Sequence, residues 1–271
     1  MTQAPLRISS RDNPSLAEVR RAQRDPGSYR GKGGGKSTGD AGNKSTSLWL
    51  EGEHLLRACV ARGWPLKQVL IASSAWEQPS LRNLAQRSQR VLLLPDALFG
   101  ELSALQSPAC IGALIDRPQA QPLRGDVPTV MLDRLQDAGN VGSILRSAAA
   151  FGVHQVLAFK GTVALWSPKV LRAGMGAHFA LQLHESLSLD ALDTLRMPWV
   201  ATSSHAEATL HQCQLPQPCA WVFGHEGQGV AENIVARCAL TLRIAQPGGE
   251  ESLNVASAAA ICLHESVRQR G

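Results

Sequence analysis

Three glycine-bearing loops in the second half of the chain carry the side chains that could do chemistry. The first, at 137–146, reads DAGNVGSILR and places an asparagine, two glycines and an arginine around a predicted helix start. The second, at 223–229, reads FGHEGQG, and the third, at 244–256, reads IAQPGGEESLNVA. Backbone N–H groups at a helix start bind anions, and a neighbouring arginine can bind the same group bidentately. The loops predict a site that binds a small polar ligand and aligns two reactants.

Each loop by itself also fits an interpretation without a ligand. Asn140 could cap a helix on which Arg146 is a surface residue, and His225 is better explained as a turn residue than as a base. Ser252 could cap the last helix, with Asn254 in its first turn and the small residues that follow packed against another helix or subunit. The combination of the three loops, each after a predicted strand, favours a binding site.

The run GKGGGKSTG at 31–39 resembles a nucleotide-binding loop. Such a loop reads G-x-x-x-x-G-K-[ST] between a strand and a helix. Here Arg30 occupies the position of the first glycine, and turn-forming residues stand where the strand should be. The composition around the run is typical of a flexible chain. We expect a flexible basic loop, with an NTPase that uses Lys36 as a weaker alternative.

The positive charge of the chain is concentrated at its N-terminus. Residues 1–50 carry nine Lys and Arg against four Asp and Glu, whereas the remaining 221 residues carry 18 of each sign. The whole net charge of +5 therefore lies in the first segment. A basic arm of this kind is typical of proteins that bind nucleic-acid phosphates, although a solvated tail has the same composition. The candidate nucleic-acid contacts of this arm are Arg11, Arg30, Lys32 and Lys36.

The composition indicates a globular protein of a reducing compartment. Apolar residues make up 44% of the 271 residues, which is enough for one large core or two modest ones. We expect a cytoplasmic location, because no apolar run could span a bilayer and the N-terminus has no signal-peptide segment. The six cysteines form no C-x-x-C pair and are expected to be free thiols. No metal is expected, because Cys213, Cys219, His211 and His225 lack the spacing of a zinc finger.

The hydrophobic pattern predicts an α/β protein in two parts. In the first part, a helix is predicted from Leu50 to Val60, strands at 67–73, 90–95 and 110–116, and helices at 81–88 and 96–105. In the second part, strands are predicted at 129–135, 154–160, 179–185, 199–204, 219–224 and 240–245, and helices at 141–151, 168–174, 231–239 and 253–270. This alternation predicts a mostly parallel sheet with helices on both faces.

A polar, proline-bearing stretch at 118–127 is typical of a linker between domains. The predicted organisation is a basic arm with a Gly-rich loop at 1–49, a small α/β domain at 50–117, the linker, and a second α/β domain at 128–271. The three loops all lie in the second domain.

Together the three loops resemble the motifs of the SpoU class of RNA ribose 2'-O-methyltransferases, in the SPOUT superfamily. The motif N-x-G-x-x-x-R is matched by Asn140, Gly142 and Arg146, and G-x-E-G-x-G by Gly224, Glu226, Gly227 and Gly229. The motif I-x-x-x-G-x-x-x-S-L-N-V is matched by Ile244, Gly248 and Ser252 to Val255. The match covers about residues 128–271. A looser likeness to the family's small substrate-binding domain lies in Ser10 to Pro14 and Leu50 to His54.

The resemblance implies a parallel sheet threaded into a trefoil knot, bound S-adenosylmethionine, and a homodimer whose active site uses both subunits. It implies methyl transfer to a ribose 2'-OH of rRNA or tRNA, with the basic arm contacting RNA. The residues it assigns to the cofactor are Gly224, Ile244 and Leu253, with Thr202 as a neighbour. Those it assigns to catalysis are Arg146, which stabilises the 2'-oxygen and grips phosphate, and Asn140, Glu226, Ser252 and Asn254, which position Arg146 and the ribose.

The sequence departs from the family's motifs in two places. Ala245 and Gln246 follow the motif isoleucine where Pro and Met are usual, and Gly174 lies in a segment that usually contains a serine. The first departure could reshape the cofactor pocket, and the second could alter substrate contact. A non-catalytic RNA-binding protein that kept the fold is the alternative, and the target RNA is not specified by the sequence.

Overall fold

The computed structural model describes residues 4–24, 47–103, 105–119, 121–249 and 252–271, which form two units with a sheet each. The first unit comprises the described residues as far as 119, together with Trp166–Phe179. The second comprises 121–165 and 180–271. The glycine run at 31–39 lies outside the described residues.

The first unit contains a mixed five-stranded sheet in the order β1-β4-β3-β5-β2. Strands β1, β4 and β3 are parallel, whereas β5 runs antiparallel to both β3 and β2. The elements are β1 (Leu6–Arg7), α1 (Pro14–Arg24), β2 (Ser47–Glu51), α2 (Glu53–Ala61), β3 (Gln68–Ala72), α3 (Ser73–Trp76), α4 (Pro79–Ala85), β4 (Val91–Leu94), α5 (Asp96–Leu102) and β5 (Ile111–Asp116).

The start of the first unit corrects the sequence prediction. Residues 47–51 form a strand, although a helix was predicted from Leu50. Leu48, Trp49 and Leu50 are all buried, and a short buried strand cannot be told from a helix by apolar periodicity alone. The chain turns at Gly52, whose φ of 100° suits glycine, and α2 begins at the next residue.

The second unit contains a six-stranded sheet in the order β11-β9-β10-β6-β7-β8. Every pair in it is parallel, which confirms the predicted parallel sheet. The predicted strand at 179–185 begins later, because Ala177–Ala180 forms a 3-10 turn. The elements numbered from this point are β6 (Thr129–Leu132), α6 (Ala138–Ala150), β7 (Gln155–Phe159), α7 (Pro168–Gly174), β8 (Gln182–Leu187), β9 (Trp199–Thr202), β10 (Ala220–Phe223), α8 (Glu232–Val235), β11 (Leu240–Leu242) and α9 (Val255–Arg268).

The segment that contains α7 packs in the first unit. The ring of Trp64 lies 6.0 Å from that of Trp166 and 5.3 Å from that of Phe179, centroid to centroid. A Cβ placed on Gly176, whose φ is 88°, would lie 2.3 Å from the Cβ of Ala58. Glycine is therefore required where this segment crosses α2.

The core of the second unit is formed by its strands and two long helices. Val130, Leu157 and Val222 on the central strands are fully buried, as expected for parallel strands covered on both faces. Helices α6 and α9 pack together. Their buried faces include Ile144 and Leu263, so the two helices that begin within the first and third loops are packed against one another.

Candidate active site

The three loops follow strands whose carboxyl ends lie side by side. Strand β10 pairs with both β6 and β9, and β9 also pairs with β11. The register places Leu132 beside Phe223, and Thr202 beside Leu242. Because these strands are parallel, the loops that follow them leave the same edge of the sheet. This edge is where ligands bind in parallel α/β sheets.

The helix that begins in the first loop is capped by Asp137. One carboxylate oxygen of Asp137 accepts a hydrogen bond from the backbone N–H of Asn140 at 2.7 Å, and α6 begins at Ala138. Asn140 therefore lies in the first turn of the helix, and the interpretation of Asn140 as the cap is wrong. The sequence signal for this cap was an Asp directly before the predicted helix start, since Asp is among the preferred N-cap residues.

Glu226 of the second loop binds the first loop. Its carboxylate accepts hydrogen bonds from the backbone N–H groups of Gln136 at 3.4 Å and Asp137 at 3.2 Å, and from the side-chain amide of Asn140 at 3.2 Å. Partial burial raises the pKa of Glu226, but hydrogen bonds from its own backbone, Asn140, Asp137 and Gln136 outweigh that effect and lower the pKa below 4.5. Glu226 is thus an ionised acceptor that joins two loops.

Asn254 joins the third loop to the first. Its Nδ2 donates to Oδ1 of Asn140 at 2.8 Å, while its Oδ1 accepts from the N–H groups of Ala256 at 2.9 Å and Ser257 at 3.2 Å. Asn254 is therefore the N-cap of α9, and the predicted cap at Ser252 is wrong. Ser252 is exposed and makes no hydrogen bond with the described residues. The result is a hydrogen-bond chain, Glu226–Asn140–Asn254, with one member from each loop.

The second loop is folded around the side chain of His225. Nδ1 of His225 accepts from the N–H groups of Gly227 at 3.0 Å and Gln228 at 3.3 Å, and the N–H of Gly229 donates to the His225 carbonyl at 2.8 Å. The prediction that His225 is a turn residue is confirmed. A Cβ on Gly224 would lie 2.2 Å from the backbone of Gly229, so the two ends of the loop pack backbone on backbone.

The remaining predicted site residues lie at the carboxyl ends of the strands or in the segments that follow them. Thr202 is the last residue of β9 and Ile244 lies two residues after β11; both are half-buried, whereas Leu253 is 40% exposed. Arg146 is exposed on α6 and makes no hydrogen bond or ion pair with the described residues. Its guanidinium is thus not bound to any group in the described part of the chain.

The candidate RNA-binding residues are only partly described. Arg11 is exposed and forms an ion pair with Glu101, an interaction that contributes little at the surface. Arg30, Lys32 and Lys36 lie outside the described residues.

The sequence prediction missed Asp133, Arg134 and Gln136, which lie between β6 and the first loop. Gln136 Nε2 donates to the carbonyls of Gly161 and Arg134, which ties this segment to the turn after β7. Arg134 contacts Gln228 and Gly229 of the second loop, and Asp133 contacts Ala231 just after it. These contacts depend on the sheet order, which leaves no local signal in the sequence.

Other chemistries find little support in the described part of the chain. No group of three or more His, Cys, Asp and Glu side chains among the described residues could hold a metal ion. Within the same residues, no helix is long and apolar enough to cross a bilayer. All six cysteines are free, as predicted. Burial raises the pKa of Cys59 to about 12 and that of Cys219 to about 11, which disfavours a thiolate nucleophile.

Known proteins resemble this chain in sequence and structure. The SpoU rRNA Methylase family model matches residues 128–264. A 23S rRNA (uridine(2479)-2'-O)-methyltransferase of Streptomyces viridochromogenes is 29% identical over 228 residues, which cover 78% of this chain and 79% of that protein. An uncharacterized tRNA/rRNA methyltransferase of Synechocystis sp. is 30% identical over 272 residues, which cover 97% of this chain and 94% of the relative.

A solved structure extends this similarity to the fold. The crystal structure of the SpoU methyltransferase AviRb from Streptomyces viridochromogenes, in complex with the cofactor AdoMet, has a TM-score of 0.78 at 25% identity. The match covers 95% of this chain and 98% of that chain. The parallel sheet and the joined loops define a methyltransferase fold of the SpoU type. The chain belongs to the SpoU rRNA methylase family, which confirms the resemblance drawn from the three motifs.

Proposed function

We propose that the protein is an RNA methyltransferase that uses S-adenosylmethionine to methylate a ribose 2'-OH of rRNA or tRNA. The observation that carries this proposal is the chain Glu226–Asn140–Asn254, which holds the three family motifs together at one sheet edge. The relatives named as 2'-O-methyltransferases support the reaction, and the AdoMet complex of AviRb supports the cofactor.

The residues at this edge fit S-adenosylmethionine. We assign its contacts to the backbone at Gly224, Ile244 and Leu253, with Thr202 beside them. Oε1 of Gln246 is buried and has no hydrogen-bond partner among the described residues, so it can accept from an amino or hydroxyl group of the cofactor. This acceptor stands where the family usually has Met. The departure at Gln246 is therefore compatible with cofactor binding.

Arg146 is proposed to act on the ribose. Bound S-adenosylmethionine supplies an activated methyl group. A ribose 2'-OH is a weak nucleophile, and negative charge develops on its oxygen as its proton passes to solvent water. The pKa of an arginine is too high for a base, so Arg146 stabilises this charge and holds a neighbouring phosphate. Asn140, Glu226 and Asn254 hold the loops in place, and exposed Ser252 contacts the ribose.

Finer features of the family are also proposed for this chain. We propose that the segment after β11 is threaded into the trefoil knot that the family motifs imply. Its first residue, Arg243, is hydrogen-bonded through the backbone to Ala208 and Leu210, both at 2.9 Å, so this segment begins beside the chain that follows β9. We propose that the first unit binds the RNA substrate: it contains the predicted domain at 50–117, and also β1, α1, the start of β2 and Trp166–Phe179. A linker at 118–127 is proposed to join it to the methyltransferase domain within 128–271. A homodimer in the cytoplasm completes the proposal, and exposed Ile261 and Val267 on α9 offer apolar surface for it.

Methyl transfer to RNA tests the function, and Arg146→Ala tests the catalytic role. The RNA is taken from cells that lack the protein, and its 2'-O-methylation is mapped before and after the reaction. We expect Arg146→Ala to lower the rate about 100- to 1000-fold, because a donor to the developing charge is lost. The Kd for S-adenosylmethionine, measured by calorimetry, should not change.

Arg196→Ala is the matched control. Arg196 is exposed and precedes β9, so it lies at the opposite edge of the sheet, and its loss should leave the rate unchanged. Folded wild-type protein that binds no S-adenosylmethionine would favour the non-catalytic RNA-binding alternative. Equal rates for the wild type and Arg146→Ala would remove Arg146 from the mechanism.

A further inference from the structure

Arg134 lies beside the second loop in a conformation that residues with side chains rarely adopt. Its φ is 57°, in the left-handed region. A non-glycine residue persists there only where its surroundings hold it, and such strain is concentrated at functional sites. Arg134 stands two residues after β6, at the edge where the three loops meet.

The guanidinium of Arg134 is held on two sides. Nε and Nη2 donate to the two carboxylate oxygens of Asp133, each at 3.0 Å. Nη1 donates to Oε1 of Gln228 at 2.9 Å, and Nη2 donates to the carbonyl of Gly229 at 3.4 Å. The Asp133 side chain is only 3% exposed and also accepts from the N–H of Ala231 at 2.8 Å. The ion pair therefore contacts Gln228 and Gly229 at the end of the second loop and Ala231 just after it.

The side chain of Arg134 passes close to Gly161, which has no Cβ to obstruct it. A Cβ on Gly161 would lie 3.2 Å from Cγ of Arg134, and Gly161 has a φ of 94° that suits glycine. The Gly161 carbonyl accepts from Gln136, which also donates to the Arg134 carbonyl. The aliphatic part of the Arg134 side chain is thus bordered by the turn after β7, which Gln136 hydrogen-bonds to this segment.

We propose that Arg134 is a positioning residue that fixes the second loop in the shape that binds the cofactor. The inference rests on the proposed function, in which Gly224 contacts S-adenosylmethionine. The backbones of Gly224 and Gly229 are packed together, so a shift at Gly229 displaces Gly224. Glu226 lies between them and binds the first loop. By holding Gln228 and Gly229, Arg134 sets the positions of both the cofactor contact and the link to Asn140.

Arg134→Lys tests whether the guanidinium must bind Asp133 and the second loop together, because the variant keeps a positive charge beside Asp133. A lysine cannot span the carboxylate and the loop at once. We expect the Kd for S-adenosylmethionine, measured by calorimetry, to rise about tenfold, since one or two hydrogen bonds to the loop are lost. Hydrogen exchange at 225–230 should become faster, while the Tm stays close to that of the wild type. A merely structural role would lower the Tm without this local change.

Two further variants separate the loop contact from other effects. Gln228→Ala removes only the side-chain acceptor of the loop, leaving the Gly229 carbonyl, and should also raise the Kd. Adding it to Arg134→Lys should have little further effect. Arg237→Ala removes an exposed ion pair with Asp193, at 2.7 Å, and is the control that should bind normally.

Two outcomes would overturn the inference. One is wild-type Kd values in both Arg134→Lys and Gln228→Ala. The other is unchanged hydrogen exchange at 225–230 in Arg134→Lys. If the wild type itself binds no S-adenosylmethionine, the proposed function fails, and the exchange measurement alone then decides whether Arg134 fixes the loop.

Discussion

At the scale of single residues, the carboxylate of Glu226 makes the stability of the protein depend on pH. Its pKa lies below the ordinary value of 4.5, because the hydrogen bonds from the first loop outweigh its partial burial. A carboxylate with a lowered pKa contributes stability that is present above its unfolded pKa and is lost as the pH falls through its folded pKa. We expect Glu226→Gln to destabilise the protein at pH 7 and to differ progressively less from the wild type below about pH 4.5. Urea unfolding from pH 7 to pH 3 measures this.

The control for Glu226 is Glu207→Gln. Glu207 is exposed and makes no hydrogen bond with the described residues, so its replacement should leave the pH profile of the wild type. A stability difference between Glu226→Gln and the wild type that is the same at pH 7 and pH 3 would contradict the assigned role of the Glu226 carboxylate.

The sequence predicted which residues belong to the site more accurately than it predicted their hydrogen-bond partners. The types and spacing of Asn140, Glu226 and Asn254 placed them in three loops, and the structure joins them. The helix caps were assigned to the wrong neighbours, because Asp137 and Asn254 were as suitable by composition as Asn140 and Ser252. Which polar residue accepts the free N–H groups depends on the φ and ψ of the turn, which the sequence does not specify.

At the scale of elements, Asn254 both begins α9 and connects it to α6. Asn254→Ala removes the cap, and we expect it to lower the free energy of unfolding by about 1 kcal/mol. Asn254→Asp keeps an oxygen for the cap but has no N–H for Asn140, so it should retain most of the stability. Both variants should reduce methyl transfer if the link matters. Urea unfolding and a methyl-transfer assay measure the two effects, and full activity of Asn254→Asp would show that the link is dispensable.

The strands of the second unit could be predicted because each is a short, continuous apolar run. Strands β6, β7 and β10 are buried throughout, which gives them this pattern. Their order in the sheet, with β10 between β9 and β6, could not be predicted, because it is set by packing between distant residues. The same holds for α7, whose neighbours Trp166 and Phe179 pack on Trp64 in the first unit.

At the scale of the whole molecule, charge and site are separated along the chain. The net charge of +5 arises from residues 1–50, whereas the residues of the proposed active site lie between 140 and 254. Binding to RNA phosphates and binding of the cofactor should therefore respond to different changes. Arg11, Arg20 and Arg21 are described parts of the basic segment, and Lys32, Lys36 and Lys44 fall outside the described residues.

Deleting residues 31–46 tests this separation. The deletion removes three lysines and one aspartate. If the lysines contact phosphates, RNA affinity falls at low salt, and the slope of log K against log [salt] becomes smaller by about 2, at roughly 0.7 per phosphate contact on single-stranded RNA. The Kd for S-adenosylmethionine should stay constant, because its proposed contacts lie after residue 200. Replacing only Lys32, Lys36 and Lys44 by serine keeps the length and should have the same effect. Unchanged RNA affinity in both variants would reduce the segment to a spacer.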